Sequence, residues 1–195
     1  MKNYIKRQIQ ESYETKQLLF NNDKLIENIN YLAQLSVELY KNGNKIILAG
    51  NGGSASDSQH IAAELVGRYG FDRPSLPALS LTTDTSNLTA IGNDYGFDKI
   101  FSRQIYSMGQ SGDIFIAIST SGNSKNLIDA MEVAKSKKIF CVALVGKDGG
   151  KMAKISDLSI IAPSDSTPRI QESHILIGHI LCDIIEKEIF SDGVS

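Results

Sequence analysis

The chain has 195 residues, of which 42% are hydrophobic, and this length and composition favour one domain with a sizeable core. Its 20 basic and 22 acidic residues give a net charge of −2, without the basic stripe that nucleic-acid backbones require. No apolar run approaches the roughly 18 residues of a membrane span, and the polar start MKNYIKRQIQESYE is unlike a signal peptide. We therefore expect a soluble, cytoplasmic protein that binds neither nucleic acid nor membranes.

The first forty residues repeat apolar positions at helical spacing. The repeat is interrupted at Asn22 and Asp23, and either side chain can cap a second helix. The pattern therefore predicts a helical hairpin before the first strand.

Five short apolar runs follow, each typical of a strand buried on both faces: 45–50, 76–82, 113–119, 139–146 and 158–163. Helical segments alternate with them, starting near Thr85 or Ser86, spanning about 125–138, within GGKMAKI, and from Pro168 to about Phe190. This alternation predicts one doubly wound α/β domain over residues 1–195, with a parallel sheet, an N-terminal helical hairpin and a long C-terminal helix. Cys141 lies in an apolar run and Cys182 in the last helical pattern, without metal-ligand or disulfide spacing, so both are expected to be buried thiols.

Two loops follow strands at the sheet edge where such folds bind ligands. GNGGSAS (50–56) and STSGNS (119–124) combine glycines with hydroxyls just before predicted helices, which favours an anionic ligand such as a sugar phosphate. The alternative for Ser119, Thr120, Ser121 and Ser124 is helix capping and turn formation, which needs only one or two hydroxyls. Four hydroxyls in six residues favour phosphate binding.

A dinucleotide site is a weaker alternative. Gly50, Gly52 and Ala55 fit its glycine pattern, and Asp84 is the candidate ribose acceptor. Asp84 lies 34 positions after Gly50, however, compared with an expected spacing of about 20 residues.

Candidate catalytic groups lie on two predicted helices. His60 and Glu64 are one turn apart, a spacing that suits a metal pair, an acid–base pair or an ordinary surface contact. Gln171, His174 and His179 lie in a segment rich in isoleucine and leucine, where a buried imidazole needs a partner.

Four motifs resemble the phosphoheptose isomerases of the sugar-isomerase (SIS) fold group: GNGGSASDSQHIAAELVGRY, LTTDTSNLTAIGNDYGF, ISTSGNS and RIQESHILIGHILCDIIE. The resemblance covers essentially the whole chain and implies a flavodoxin-like three-layer sandwich. It also implies a cytoplasmic homotetramer with zinc that converts sedoheptulose 7-phosphate into D-glycero-D-manno-heptose 7-phosphate. That reaction is the first step toward the heptoses of lipopolysaccharide and some capsules.

The resemblance also implies residue roles. Substrate-binding residues would be Asn51, Gly52, Gly53, Glu64, Asn93, Asp94, Ser119, Thr120, Ser121, Ser124 and Gln171. Metal ligands would be His60, Glu64, Gln171 and His179.

Three further positions carry weaker implications. Asp57 is a candidate for opening the sugar ring, with a solvated first-turn carboxylate as the alternative. His174 receives no role. Many relatives have Ala or Asp where this chain has Pro168, so a contact from an Asp side chain is missing here.

Ketose–aldose isomerisation moves a proton between C1 and C2 through an enediol, so it needs a base and an acid or electrophile. Glu64 is the expected base and His179 the expected acid, although zinc held by both residues would instead polarise the oxygens. Gln171 and His179 are eight residues apart, about 12 Å along a helix, which predicts active sites shared between chains.

Two functions without turnover compete with an isomerase. A relative in the same fold group binds the bacterial replication initiator and lacks the counterparts of Glu64 and His179, both of which are present here. A sugar-phosphate sensor fits the two loops but leaves the acid–base pair unused.

Overall fold

The N-terminal helical pair forms as predicted. The structure is a computed structural model that describes residues 1–190. Helix α1 spans Lys2–Phe20 and helix α2 spans Asp23–Lys41. Asn22 caps α2, because its side-chain oxygen accepts a hydrogen bond from the Leu25 N–H at 3.0 Å.

Five parallel strands form one sheet in the order β2-β1-β3-β4-β5. Their bounds are Ile46–Gly50 (β1), Ala78–Ser80 (β2), Ile114–Ser119 (β3), Phe140–Val145 (β4) and Leu158–Ile161 (β5). Each lies inside the run that predicted it. The second strand is the shortest relative to its predicted run of 76–82. The run extends further because Leu76 and Leu81, which are apolar and buried, lie just outside the strand.

Six more α-helices and one short 3₁₀ helix (Phe97–Lys99) complete the described chain. The α-helices are α3 (Gly53–Val66), α4 (Thr85–Tyr95), α5 (Ser102–Met108), α6 (Lys125–Ser136), α7 (Gly150–Ile155) and α8 (Thr167–Phe190). Helix α5 was not predicted, because it is short and buries a polar residue, Gln104, whose amide donates to the Leu81 and Ile100 carbonyls. Across residues 1–190, no helix has both the length and the apolar character needed to cross a bilayer.

The sheet lies between two helical layers, which confirms the doubly wound architecture. Alternate strand residues face opposite layers: Leu48 belongs to the core that includes residues of α1, α2, α3 and α8, whereas Ile47 belongs to the core that includes residues of α5, α6 and α7. Cys141 and Cys182 are free thiols buried in these two cores, as predicted, and burial raises the pKa of each to about 12.

The strand order places two loops side by side. The chain runs from β1 outward to β2 and then returns across β1 to β3, so β1 and β3 flank the point where the winding reverses. Gly50 at the end of β1 pairs in register with Ile118, next to the end of β3. Ligands bind beyond the carboxyl ends of strands at such a point.

Candidate active site

The first loop is a sharp turn from β1 into α3. Gly52, at the N-cap of α3, has a φ of +57°, a left-handed conformation that favours glycine. Gly53 begins the helix, and a Cβ there would collide with the side-chain amide of Gln171 on α8. The structure thus places the Gln171 side chain directly against Gly53 of the glycine loop.

The hydroxyl loop connects β3 to α6. Ser124 stands at the N-cap of α6, yet within residues 1–190 its hydroxyl forms no capping hydrogen bond and lies 3.0 Å from the Ser119 hydroxyl. Ser121 accepts a hydrogen bond from the Asn123 N–H at 3.2 Å. Thr120, which lies between Ser119 and Ser121 in the sequence, is half-buried. Capping therefore does not account for Ser124, and turn formation accounts for Ser121 alone.

A pair of amides joins the two loops. Asn51 and Asn126 exchange two hydrogen bonds, at 3.0 and 2.9 Å, and Asn126 is only 3% exposed. Sequence reasoning missed Asn126, although its position in the first turn of α6, directly after the hydroxyl loop, was a usable signal. The pair fixes the glycine loop relative to the hydroxyl loop.

His60, Glu64 and His179 meet between α3 and α8. The His60 Nε2 lies 3.1 Å from the Glu64 Oε1 and 3.1 Å from the His179 Nε2. One ligand atom from each residue lies within 4.8 Å of the other two. The side chain of His60 is 50% exposed and that of Glu64 is 26% exposed, so the cluster is open to solvent on one side.

The ligand atoms in this cluster are of the kinds that bind a metal ion. Two imidazoles and one carboxylate are a known ligand set of catalytic zinc, which keeps its fourth position for water or substrate. Ligands at about 2.0–2.1 Å from a tetrahedral ion lie about 3.3 Å from one another. The two observed separations of 3.1 Å are close to that value. The geometry therefore fits a tetrahedral ion held by His60, Glu64 and His179.

One chain gathers three of the four expected metal ligands. The spacing of Gln171 and His179 along α8 predicts active sites shared between chains, and this stays a prediction. Helices α3 and α8 pack side by side, and one chain brings Glu64 and His179 together through His60. Gln171 lies two helical turns before His179 and its amide lies against Gly53, so its part as a fourth ligand stays a prediction.

Asp57 lies on α3, one turn before His60. Its carboxyl group is half-buried, and the Oδ2 atom is buried with no hydrogen-bond partner among residues 1–190. Burial raises the pKa of Asp57 to about 6, although the nearby His60 acts in the opposite direction. The alternative of a fully solvated carboxylate is therefore wrong.

Asn93 and Asp94 lie at the end of α4. Both are exposed, and the Asn93 amide donates to the Asp94 carboxylate at 2.9 Å. Helix α4 buries none of its described residues fully. A shallow cleft of about 200 Å³ is lined by the glycine loop together with Leu88 of α4 and Phe97.

His174 and Pro168 have local roles in α8. His174 is fully buried, with its Nε2 atom 3.0 Å from the Val145 carbonyl oxygen, and burial lowers its pKa to about 4. His174 thus fastens α8 to the end of β4 and lies outside the cluster. Pro168 occupies the first turn of the helix, as predicted, and is exposed.

Asp84 caps a helix. Its carboxylate accepts hydrogen bonds from the Asn87 backbone N–H at 2.9 Å and from the Asn87 side-chain amide at 2.8 Å. This capping role at the start of α4 accounts for Asp84 without a ribose ligand. The structure thus removes the residue that supported the dinucleotide alternative.

Tyr69 is a neighbour of the cluster that the sequence did not reveal. It lies in the segment after α3, and its ring centre is 5.9 Å from that of His179. The His179 ring is in turn 5.1 Å from that of His60. An aromatic residue in an irregular segment offers no periodic signal, so only the folded chain shows this contact.

Comparison with known proteins agrees with this geometry. A family model described as the SIS domain matches residues 13–146. The chain is 69% identical over 195 residues to a phosphoheptose isomerase of Sulfurimonas denitrificans, covering 100% of both chains. It is 57% identical to the phosphoheptose isomerase of Aneurinibacillus thermoaerophilus, covering 97% of this chain and 96% of that protein. The solved structure of phosphoheptose isomerase GmhA from Neisseria gonorrhoeae matches with a TM-score of 0.89 and 43% identity, covering 95% of this chain and 98% of that one. The chain belongs to the phosphoheptose isomerase family of SIS-domain proteins.

Proposed function

We propose that this protein converts sedoheptulose 7-phosphate into D-glycero-D-manno-heptose 7-phosphate. The observation that carries the proposal is the meeting of Glu64, His60 and His179 within one chain. A carboxylate and an imidazole at this spacing are the groups that an enediol mechanism needs. A non-catalytic interaction protein is not favoured, because it has no use for such a cluster.

The two loops hold the substrate in this proposal. Ser119, Thr120, Ser121 and Ser124 bind the phosphate, since their loop lies at the N-terminus of α6 and the hydroxyl of Ser124 is not used as a cap. The sugar is contacted by residues of the glycine loop, of α3, of α4 and of α8: Asn51, Gly52, Gly53, Glu64, Asn93, Asp94 and Gln171.

The reaction moves one proton between carbons and one between oxygens. Glu64 removes a proton from C1 of the ketose while His179 donates a proton to the C2 oxygen, which gives the enediol. Glu64 then returns its proton to C2, and the C1 hydroxyl gives its proton back to His179 as the aldehyde forms. Both side chains end in their starting states. Asp57, with a pKa of about 6, is placed to exchange protons during ring opening.

The residues that would hold zinc are His60, Glu64 and His179, with Gln171 as the fourth ligand that the family resemblance implies. A zinc-bound His179 cannot also donate a proton, so zinc would replace the proton shuttle of Glu64 and His179. When bound, zinc supplies Lewis-acid polarisation of the substrate oxygens. Gln171 contacts substrate beside Gly53 within the same chain.

The proposed assembly is a cytoplasmic homotetramer with shared active sites. Helix α1 exposes a stripe of large apolar residues, among them Ile5 at 56%, Ile9 at 66% and Tyr13 at 61% exposure. Apolar patches of this kind usually mark an interface. A second copy that covers the open side of the cluster would exclude water from the reaction. The product supplies heptose precursors for lipopolysaccharide or capsule.

Purified protein incubated with sedoheptulose 7-phosphate in D₂O tests the proposal. Aldose should form and carry deuterium at C2, detected by NMR, because the proton on the base exchanges with solvent. Sedoheptulose without the phosphate serves as the substrate control and should react poorly. Absence of aldose with the phosphorylated substrate would reject the isomerase assignment.

A further inference from the structure

A buried ion pair fastens the segment that follows α3 to helix α8. The side chains of Arg73 and Glu186 are each 1% exposed, and the Arg73 Nε donates to the Glu186 carboxylate at 2.9 Å. The same carboxylate accepts hydrogen bonds from three consecutive backbone N–H groups, those of Tyr69 (2.7 Å), Gly70 (2.6 Å) and Phe71 (3.2 Å). Within residues 1–190, every hydrogen-bond donor to the Glu186 carboxylate thus comes from the segment 69–73.

The other end of the Arg73 side chain reaches α3. Its Nη atoms donate to the carbonyl oxygens of Glu64 at 2.9 Å and Leu65 at 2.7 Å. These carbonyls belong to the last turn of a helix that ends at Val66, where helical carbonyls lack intrahelical partners. Arg73 therefore holds the backbone of the proposed base itself.

Arg73 and Glu186 together connect the segments that carry the cluster: α3, α8 and the segment that contains Tyr69. Glu186 is seven residues after His179 on α8, which is two helical turns. Arg73 bonds to the backbone of Glu64, and the clamped segment presents Tyr69 to the His179 ring. A buried ion pair contributes little net stability compared with apolar packing, so stability alone is a weak reason for this arrangement.

We propose that Arg73 and Glu186 are positioning residues that set the distance between Glu64 and His179. The inference rests on the proposed isomerase function. Neither residue reaches the substrate; the pair acts by locking the end of α3, the Tyr69 segment and α8 into one geometry. Proton transfer is sensitive to such placement, because small displacements of a catalytic group cost large factors in rate.

Glu186→Gln tests the proposal with an isosteric side chain. The amide cannot accept hydrogen bonds from all four donors, because its NH₂ group is itself a donor and would face at least one of their N–H groups. We expect kcat to fall at least tenfold while KM stays within twofold. Assays are run well below the thermal transition of each variant, so that lost stability is not read as lost positioning.

Asp113→Asn is the matched control. The Asp113 side chain is also 1% exposed, and it pairs with Lys45 at 2.7 Å while accepting from the backbone N–H groups of Lys45 and Gln110. It precedes β3, at the sheet edge opposite the loops. This variant loses a comparable buried charge, and its kcat should stay within twofold of wild type. An equal loss of kcat in both variants would overturn the proposal.

Arg73→Lys and an activity-independent readout complete the design. Lysine keeps the charge but cannot reach the Glu64 and Leu65 carbonyls together, so a folded variant with lowered kcat is expected. Imidazole NMR signals of His60 and His179 should shift in Glu186→Gln and remain fixed in Asp113→Asn. Unshifted signals would overturn the proposal even if wild type failed to turn over sedoheptulose 7-phosphate, an outcome that would reject the isomerase function separately.

Discussion

Glu64 is the proposed base of the cluster: its carboxylate contacts His60 and lies within 4.8 Å of a ligand atom of His179. Glu64→Gln keeps the shape of the side chain but cannot accept a proton. We expect kcat to fall by about 10²–10⁴-fold, which is the usual contribution of a general base. Binding of the sugar phosphate, measured by calorimetry, should persist. A variant with wild-type turnover would contradict the assignment of Glu64 as the base.

His174 predicts an acid sensitivity of the fold. Its pKa is lowered from 6.5 to about 4, so the unfolded chain binds this proton more readily than the folded one. Stability from His174 is therefore complete above pH 6.5 and declines as the pH falls to about 4, by about 3 kcal/mol in total.

Urea unfolding of wild type and His174→Gln at several pH values checks this sign. The glutamine amide still donates toward the Val145 carbonyl but does not titrate, so the variant should lose the decline. Asp57 acts in the opposite direction, because its pKa is raised to about 6 and the folded state therefore gains stability as the pH falls. Subtracting the variant's unfolding free energy from that of wild type at each pH removes the Asp57 contribution and leaves that of His174. Parallel curves would contradict the prediction.

At the scale of elements, variants in the hydroxyl loop distinguish two roles of its serines, phosphate binding and capping of α6. A Ser121→Ala, Ser124→Ala double variant should raise KM at least tenfold with little change in kcat, because it removes uniform binding of the phosphate. Ser136→Ala, at the other end of α6, serves as the control and should leave KM unchanged. Loss of thermal stability with unchanged KM would return the two serines to a capping role.

The elements that the sequence predicted well are those with a strong apolar pattern. The run from Ile114 to Ser119 reads as a buried strand because both faces of the sheet are covered. Helix α5 was missed because a seven-residue helix has too few turns to show a period, and its buried Gln104 reads as a surface residue. The loops were predictable because glycines and hydroxyls mark them locally.

The cluster was predicted only in part, for a geometric reason. Spacing along one helix can be read from sequence, and it placed His60 next to Glu64 correctly. The packing of α3 against α8 depends on the whole sheet, so the sequence did not show that His179 lies opposite His60 within one chain. Contacts such as that of Arg73 with Glu186, 113 residues apart, lack any local signature.

For the whole molecule, the position of the cluster predicts how inactive subunits complement one another. Glu64→Gln and His179→Ala subunits, mixed under conditions of exchange, should remain inactive, because one chain supplies both residues. Mass spectrometry of mixed oligomers confirms exchange. Recovered activity would show that the functional pair forms between chains.

A second mixture tests the proposed sharing of sites. Ser121→Asp places a negative charge in the phosphate loop and should abolish substrate binding. Mixed with Glu64→Gln subunits, it should restore activity if the loop of one chain serves the cluster of another. A mixture that stays inactive would place the loop and the cluster in the same subunit and contradict shared sites.

The contacts of the N-terminal helices also have a consequence for biosynthesis. Ser12 on α1 donates to Glu172 on α8, 160 residues later, and Asn28 on α2 donates to the Ser159 carbonyl, 131 residues later. At roughly 5–20 residues per second, a ribosome needs about 10–30 s to make the chain between Ser12 and Glu172. Throughout that interval the nascent hairpin has no docking surface for its apolar side, which makes it a natural client for chaperones until the last helix emerges.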